Sequence, residues 1–265
     1  MIHYNHFIMA ESLDEAYELN RKKSAVICGG FCWLRLQNRT VQTMIDLSGL
    51  GLDQIEETEE GFEIGSMVSL RKLETHKSFQ AWTRGAGADS LRHIVGTQFR
   101  NCATVGGSIY GRFGFSDVLT LFLALDAQVK LFKGGVLPLR EFLDREEDGD
   151  ILLSVLVKKG QAFAAYESMR NEAVDFPVLT AAACLRDGQF TVSVGARPGK
   201  ARAYSVPETE LSGEADQRDK ALTEKFTYGT NMRASAEYRK YLAGVLVSRC
   251  LNRIEADRKE ETSWN

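Results

Sequence analysis

Two glycine pairs place the strongest constraint on what this chain can fold into. The segments "ICGGFCWL" (27–34) and "TVGGSIYG" (104–111) each contain two adjacent glycines directly after an apolar run. A backbone without Cβ atoms can approach another group closely and can direct several N–H groups at it. Turns and bulges also use glycine for conformational reasons alone, so either pair by itself is a weak signal. Together, the two pairs favour a phosphate or pyrophosphate site.

A single carboxylate closes the second glycine stretch. Asp117 follows Ser116 and precedes "TLFLALDA" (120–127), which is apolar on nearly all sides and predicts a buried helix. A dinucleotide needs acceptors for its sugar hydroxyls as well as donors for its phosphates, and Asp117 can be such an acceptor. Its alternative role is the N-cap of the buried helix, a position at which aspartate is favoured.

Other phosphate and catalytic motifs are missing from the sequence. No G-x-x-x-x-G-K-[ST] run occurs, which argues against a P-loop. In "GAGADS" (85–90) a serine replaces the last glycine of a dinucleotide fingerprint, and no clear strand precedes it, so we predict a loop. Of the four histidines, only His93 lies near the second glycine pair and is a candidate to line a site. The sequence therefore favours an enzyme whose cofactor carries the chemistry.

Charge and composition limit the remaining classes. A net charge of -3 gives no sign of the basic face that broad nucleic-acid binding needs. No apolar run reaches the roughly 18 residues of a membrane span, and the first residues lack the order of a secretory signal. The five cysteines contain no C-x-x-C pair, which predicts reduced thiols and no metal site. We expect a cytoplasmic protein.

The pattern along the chain predicts a mixed α and β protein with a boundary near residue 158. Ser12 and Glu15 predict a helix over 13–22, and "VLTAAACLRDGQFTVSVGA" predicts a hairpin that turns at Asp187–Gly188. Strands are predicted over 25–30, 43–50, 128–132 and 151–157, and alternation over 62–70 precedes a predicted helix near 69–77. Beyond the boundary we predict a surface connection over 205–220, a long helix from about 230 and a frayed tail over 257–265.

Four segments resemble one known family. "RNCATVGGSI" (100–109), with "SD" at 116–117, resembles the "RN-x-A-T-[IV]-G-G-N-I... D" signature of the FAD-binding subunits of molybdenum hydroxylases. These are the medium subunits of the xanthine dehydrogenase and carbon monoxide dehydrogenase family. "ICGGFCWL", "LFLALDAQV" (121–129) and "RASAEYRKYLAGVLVSR" (233–249) resemble three further motifs of that family in the expected order. The middle and C-terminal motifs are independent, so the resemblance is specific.

The resemblance implies an α+β fold and two domains. The fold would be the two-subdomain FAD-binding fold of the vanillyl-alcohol-oxidase type, followed by a small α/β C-terminal domain. The FAD-binding domain would cover 1–157, with subdomains at about 1–50 and 51–157, and the C-terminal domain would cover 158–265.

The same resemblance implies how the FAD is bound. Backbone N–H groups of the two glycine stretches would hold the pyrophosphate, Asp117 would bind the sugar-alcohol chain of the flavin, and Leu152 would pack near the isoalloxazine ring. We expect no covalent flavin bond, no catalytic side chain and no metal ligand. The implied cofactor-binding residues are Ile27, Cys28, Gly29, Gly30, Phe31, Cys32, Trp33, Leu34, Thr104, Val105, Gly106, Gly107, Ser108, Asp117 and Leu152.

This chain departs from the family pattern at several positions. Ser108 stands where the family has asparagine, and Phe31-Cys32 where it commonly has Thr-Asp. The window Tyr166–Met169 contains no counterpart of a lysine that some members place near the flavin. The aromatic and basic segment "YGRFGF" (110–115) stands where members of the family often have "ASPAG", and its Tyr110 and Phe113 either shield the flavin or pack in the core.

The implied role is that of an electron relay. A molybdopterin subunit would oxidise the substrate, an iron–sulfur subunit would pass the electrons to FAD, and NAD or another acceptor would receive them. The cysteines here have no spacing for a cluster, so those components would lie on other chains. Two alternatives stay open: a self-contained flavin reductase of the same superfold, and a non-catalytic assembly module that has lost FAD.

Overall fold

The computed structural model describes residues 1–211 and 215–263, which form three β-sheets and their covering helices. The strands are β1 (His3–Met9), β2 (Ala25–Cys28), β3 (Thr40–Asp46), β4 (Ile55–Glu57), β5 (Gly61–Gly65), β6 (Gln128–Leu131), β7 (Gly135–Pro138), β8 (Leu152–Lys158), β9 (Ala162–Arg170), β10 (Pro177–Arg186), β11 (Gln189–Gly195) and β12 (Arg202–Pro207). The helices are α1 (Leu13–Asn20), α2 (Leu70–Glu74), α3 (Lys77–Trp82), α4 (Ala86–Leu91), α5 (Thr97–Cys102), α6 (Val105–Tyr110), α7 (Asp117–Ala124), α8 (Leu139–Asp144), α9 (Ala215–Thr223) and α10 (Ala236–Ser263). Short 3₁₀ helices lie at Leu34–Leu36, Ser48–Leu50 and Glu208–Leu211.

The first sheet is parallel, with strand order β1-β3-β2. Its first crossover contains α1, which begins as the sequence predicts because Ser12 Oγ accepts the N–H of Glu15 at 3.2 Å. The carboxylate of Glu15 accepts the N–H of Glu11 at 2.8 Å, one residue before the expected partner of a capping box. The carboxyl end of β2 leads directly into the first glycine pair.

Two antiparallel sheets follow. The second has the order β4-β5-β8-β6-β7, and the third is the meander β12-β11-β10-β9. The predicted hairpin is present, and Asp187 and Gly188 both have positive φ at its turn, as a two-residue loop requires. The second sheet ends at Lys158 and the third begins at Ala162. On this separation we propose the division into domains at 1–157 and 158–265.

Helix α7 lies between the two halves and is buried on all sides, as its sequence predicts. It packs against β10 and β11 and also against α4 and α6. Helix α10 covers the opposite face of the third sheet, where it contacts β9 and β10. Because both faces are covered, every residue of β10 except Arg186 is buried.

Arg239 fixes the start of α10 to the sheet and is almost fully buried, with 1% of its surface exposed. Its Nε donates to the carbonyl of Val178 at 2.9 Å, and Nη1 donates to the carbonyls of Gly229 and Ala234. Nη2 donates to Oδ1 of Asn231 at 2.6 Å. This arginine of the C-terminal sequence motif therefore joins the 229–234 segment to β10.

Several sequence predictions were wrong in detail. The segment 85–90, predicted as a loop, contains helix α4, in which Gly87 packs closely against Phe79 and Gln80. The predicted surface connection 205–220 includes the end of β12 and the start of α9, and its residues 212–214 lie outside the described residues. The tail predicted to fray is helical through Ser263, and residues 264–265 lie outside the described residues. In the described ranges no helix has the length and apolar character needed to cross a membrane.

Candidate FAD-binding site

The first glycine stretch is a loop with unused donors. It runs from the end of β2 to the 3₁₀ helix at Leu34–Leu36. Within residues 1–211 and 215–263, the backbone N–H groups of Gly29 to Trp33 have no acceptor at hydrogen-bonding distance. Phe31 has φ 57°, in the left-handed region that a bulky residue enters only under strain. Successive free N–H groups with a left-handed residue among them form the type of concavity that binds anions.

The second glycine stretch is the helix α6 rather than a loop. A Cβ on Gly106 would lie 2.6 Å from the Cβ and the carbonyl oxygen of Ser66, so this glycine permits close packing. The N–H groups of Val105 and Gly106 donate to the carbonyls of Val68 and Ser66. Gly107 N–H donates to Thr104 Oγ1 at 3.0 Å, and Ser108 N–H donates to the Thr104 carbonyl at 3.1 Å. The donors expected to reach a pyrophosphate here are bonded within the chain, from Val105 to Ser108.

The two stretches lie against each other. A Cβ on Gly29 would lie 2.7 Å from Thr104 Oγ1, and a Cβ on Gly30 would overlap the carbonyl oxygen of Cys102. The first loop can therefore keep its position over the start of α6 only if both residues are glycine. This contact accounts for the first glycine pair, whereas in the second pair Gly106 is needed for the packing against Ser66.

Between them opens a cavity of about 850 Å³, within the size range of small-molecule sites. It brings together most of the residues that the sequence singled out: Ile27, Gly29, Gly30, Phe31, Cys32, Trp33, Leu34, Thr104, Gly106, Gly107, Ser108, Asp117 and Leu152. The cavity is also lined by His93, Tyr110 and Phe113. The side chains of Cys28 and Val105 point instead into hydrophobic clusters.

Asp117 is the first residue of α7 and is not its N-cap. Ser116 is the N-cap, and its Oγ accepts the N–H of Leu119 at 3.2 Å. Oδ1 of Asp117 accepts hydrogen bonds from Tyr166 Oη and from Arg170 Nη2, and only 4% of the residue is exposed. Burial raises the pKa of the Asp117 carboxyl, while the Arg170 charge and the two hydrogen bonds act in the opposite direction.

Residues 3–158 match the protein family described as "FAD binding domain in molybdopterin dehydrogenase". The chain belongs to this family. Its cofactor is FAD, and it is an oxidoreductase component of the molybdenum hydroxylase type. The family membership predicted from the four sequence motifs is confirmed.

The flavoprotein resembles relatives along nearly its whole length. A protein of Escherichia coli strain K12, named "Uncharacterized protein YgfM", is 26% identical over 248 residues, which are 91% of this chain and 93% of the relative. The Cu,Mo-CO dehydrogenase structure matches with a TM-score of 0.83 at 21% identity, over 97% of this chain and 99% of the other. Quinoline 2-oxidoreductase from Pseudomonas putida 86 matches with a TM-score of 0.81 at 18% identity, over 96% and 97%. These structures confirm the α+β FAD-binding fold.

The residues around the cavity fit FAD. Free backbone donors at Gly29 to Trp33 suit a pyrophosphate, and the adjoining glycines leave room for it. Two buried polar atoms of lining residues, Ser66 Oγ and Arg170 Nε, have no hydrogen-bond partner among the described residues. Both atoms are enclosed by the protein itself, so the fit to FAD rests on the backbone donors and on the room beside the glycines.

Arg170 is a site residue that the sequence analysis missed. Its Nη1 donates to the carbonyl of Asp175 at 2.7 Å and its Nη2 donates to Asp117, which leaves Nε free. The residue comes directly after the window in which a lysine was sought, at the end of β9. The arginine directly after that window was the available signal in the sequence.

An aromatic cluster forms another part of the cavity lining. The ring of Trp33 lies 5.3 Å from Phe176 and 5.5 Å from Phe115, measured between centroids. Phe113 stacks on Phe115 at 5.2 Å with an interplanar angle of 12°. Tyr110 packs against Phe142 at 5.9 Å. The segment 110–115 therefore has both expected features, packing and a position beside the cofactor cavity.

Arg100, the first residue of the middle motif (100–109), stabilises a loop beside the cavity. Arg100 pairs with Glu74 through two bonds, Nε to Oε2 at 2.8 Å and Nη2 to Oε1 at 3.3 Å. Its Nη1 donates to the carbonyls of Ile94 and Val95, so it holds the loop that carries His93 to the cavity. Burial raises the pKa of Glu74, but hydrogen bonds from Arg100 and Arg71 outweigh it and lower the pKa below its ordinary 4.5.

No metal centre is found among the described residues. Residues 1–211 and 215–263 contain no group of three or more His, Cys, Asp or Glu side chains placed to hold a metal ion. All five cysteines are free thiols.

Proposed function

We propose that this chain is the electron-transfer subunit of a multi-subunit, xanthine dehydrogenase-like molybdenum hydroxylase. It would receive electrons from an iron–sulfur subunit, which a molybdopterin subunit reduces, and pass them to NAD or another acceptor. The observation that carries the proposal is the row of free N–H groups from Gly29 to Trp33 over the cavity. Bound FAD supplies the acceptance and release of the electrons.

The residues of the chain bind and orient the cofactor. The N–H groups of Gly29 to Trp33 would hold the pyrophosphate, and Thr104 and Ser108 line the cavity at the start of α6. No other described residue donates a hydrogen bond to Oδ2 of Asp117, so this oxygen can accept from the ribityl hydroxyls. Leu152 would pack near the flavin ring, and the aromatic cluster around Trp33 would exclude water from it.

The partner subunits are proposed from the family and from the thiols. None of the five cysteines has cluster-ligand spacing, which supports iron–sulfur ligation on another chain. A matching structure, carbon monoxide dehydrogenase from Hydrogenophaga pseudoflava, is described as lacking the Mo-pyranopterin moiety of its molybdenum cofactor. That description supports a molybdopterin partner here. We place the complex in the cytoplasm, where free thiols persist.

The relay is tested with the isolated chain loaded with FAD. We expect no oxidation of a purine or an aldehyde, because that chemistry is proposed for the molybdopterin subunit. We expect electrons from chemically reduced cofactor to reach an artificial dye, and NADH to reduce the bound flavin if NAD is the acceptor. Robust purine or aldehyde oxidation by the metal-free chain would overturn the relay. A chain that takes up no FAD would instead indicate an assembly module.

A further inference from the structure

We propose that the outer edge of strand β2 binds the adenine of FAD through the backbone N–H and C=O of Ile27, and that this contact makes the site selective for an adenine dinucleotide. The inference rests on the proposed function, because it requires FAD in the cavity between the two glycine stretches. It assigns the choice of base to the backbone of a strand, apart from the loop that would bind the pyrophosphate.

Strand β2 lies at the edge of its sheet and has one side without a partner. In the order β1-β3-β2 it pairs with β3 alone. The carbonyl of Ser24 accepts the N–H of Gln42 at 2.7 Å, so Ser24 faces β3. Successive residues of a strand direct their backbone polar groups to opposite edges, so Val26 also faces β3 and Ile27 faces away from it. Outside the ladder of β2 with β3, no hydrogen bond joins the backbone of Ile27 to any described residue.

The cavity runs along this outer edge. The side chains of Ala25 and Ile27 pack in the hydrophobic cluster around Ile45, and that of Val26 packs in the cluster around Met44, on the opposite face of the sheet. All three β2 residues line the cavity. Further lining residues come from both clusters: Leu47, Met67 and Ile151 from the first, and Phe31 and Leu34 from the second. A cavity that touches both faces and β2 itself lies beside the unpaired edge of that strand.

The position of Ile27 along the cavity suits the base of the cofactor. The pyrophosphate would be held by the N–H groups of Gly29 to Trp33, and Ile27 precedes Gly29 by two residues. Two residues of a strand span about 7 Å, which leaves room for the ribose between the pyrophosphate and the base. The flavin half of FAD is directed to Asp117 and Leu152 in the proposed function. The AMP half therefore remains for the β2 edge.

The chemistry of that edge matches adenine. The N–H and the C=O of Ile27 place one donor beside one acceptor, and adenine presents an N6–H donor beside a ring-nitrogen acceptor. Hypoxanthine and guanine have an oxygen in place of the amino group. That oxygen would face the carbonyl of Ile27, which would leave two acceptors together and no donor for either. A site whose polar groups are left unpaired by an analogue discriminates strongly against it.

The test compares two ligands that differ at one position of the base, FAD and flavin hypoxanthine dinucleotide. Calorimetric titration of the flavin-free wild-type chain should give a dissociation constant about tenfold or more higher for the hypoxanthine dinucleotide. The matched control is Gly29→Ala, which disturbs the loop proposed for the pyrophosphate. We expect this variant to weaken both ligands equally and to leave the ratio of their dissociation constants unchanged.

Amide hydrogen exchange locates the contact on the chain. The N–H of Ile27 is unpaired at the edge of the sheet, so saturating FAD should slow its exchange. The N–H of Ala25 already donates to the carbonyl of Lys22 at 2.9 Å and is the internal control, with no change expected.

Equal dissociation constants for the two dinucleotides, or an Ile27 amide that exchanges as fast with saturating FAD as without it, would overturn the inference and leave the proposed function intact. A wild-type chain that binds neither dinucleotide would overturn both.

Discussion

The carboxylate of Asp117 and the guanidinium of Arg170 form a buried ion pair that joins the first turn of α7 to the end of β9. The two residues lie 53 positions apart, on either side of the proposed domain boundary. Both line the cavity. Packing of the C-terminal sheet and shaping of the cofactor site therefore depend on the same pair of charges.

The first prediction concerns Asp117→Ala and Asp117→Asn. Removing the carboxylate leaves Arg170 buried and unpaired, so we expect Asp117→Ala to lower the free energy of unfolding by about 3–5 kcal/mol. We also expect its dissociation constant for FAD to rise about tenfold or more, with Asp117→Asn between it and wild type. Urea unfolding of the apoprotein and FAD titration measure the two effects.

Ser116→Ala is the control for that prediction. It removes the actual N-cap of α7 and should cost about 1 kcal/mol without the loss of a charge pair. If Asp117→Ala unfolds more easily but binds FAD as tightly as wild type, Asp117 has a structural role only.

The second prediction is a pH dependence that originates at Glu74. Its pKa in the folded protein is lower than the ordinary 4.5, so the ion pair with Arg100 stabilises the fold above about that pH. This stability is lost as the pH falls from 4.5 through the lowered pKa, because the folded state must then take up the proton. Glu74→Gln should unfold at lower urea concentration at pH 7 and should show a smaller loss of stability on acidification.

The measurement is the urea midpoint between neutral pH and pH 3 for wild type, Glu74→Gln and the exposed control Glu18→Gln. We expect the control to follow wild type. Parallel curves for wild type and Glu74→Gln across the acidic range would show that Glu74 does not contribute to acid sensitivity.

The third prediction concerns Arg239, whose donors bind three carbonyls and one side-chain amide. Arg239→Met leaves the buried carbonyl of Val178 and the partly buried carbonyls of Gly229 and Ala234 without their donor, at a cost of about 1–3 kcal/mol for each carbonyl that water cannot reach. We therefore expect a loss of about 3 kcal/mol or more in the free energy of unfolding. Arg249→Met, an exposed substitution on the same helix, should change it by less than about 0.5 kcal/mol. Equal urea midpoints for the two variants would contradict the prediction.

The fold was predictable where local pattern and tertiary structure agree. The apolar segment of α7, the strand β6 that follows it and the Asp187–Gly188 hairpin follow from periodicity and turn chemistry. Helices α4 and α6 contain glycines, which disfavour a helix in isolation. They form because Gly87 and Gly106 pack against neighbours that no local pattern contains.

The site was predictable where glycine marks a close approach. Gly29 and Gly30 indicate the site in the sequence because only a residue without a Cβ fits against Thr104 and Cys102. The pairing of Arg170 with Asp117 and the contact of Trp33 with Phe176 depend on segments that meet only after folding, and sequence spacing gives no sign of either contact. The family motifs identified FAD as the cofactor, whereas the position of Arg170 at the cavity became apparent only in the structure.

The central claim is that FAD lies non-covalently between the Gly29–Trp33 loop and the start of α6. Two variants distinguish the specific role of Gly29 in this loop from the general effect of replacing a glycine by alanine. Gly29→Ala places a methyl group against Thr104 Oγ1, whereas Gly244→Ala on α10 meets no atom within 4 Å. A helical Gly→Ala change is expected to stabilise the fold by about 0.5–1 kcal/mol.

The most direct measurement is calorimetric titration of the flavin-free chain with FAD, followed by acid precipitation of the complex. We predict saturation at a single FAD per chain, with all of the yellow flavin released into the acid supernatant. Gly29→Ala should bind about tenfold more weakly or worse, and Gly244→Ala should match wild type. A wild-type chain that takes up no FAD, yellow colour retained in the pellet, or unchanged affinity in Gly29→Ala would contradict the account.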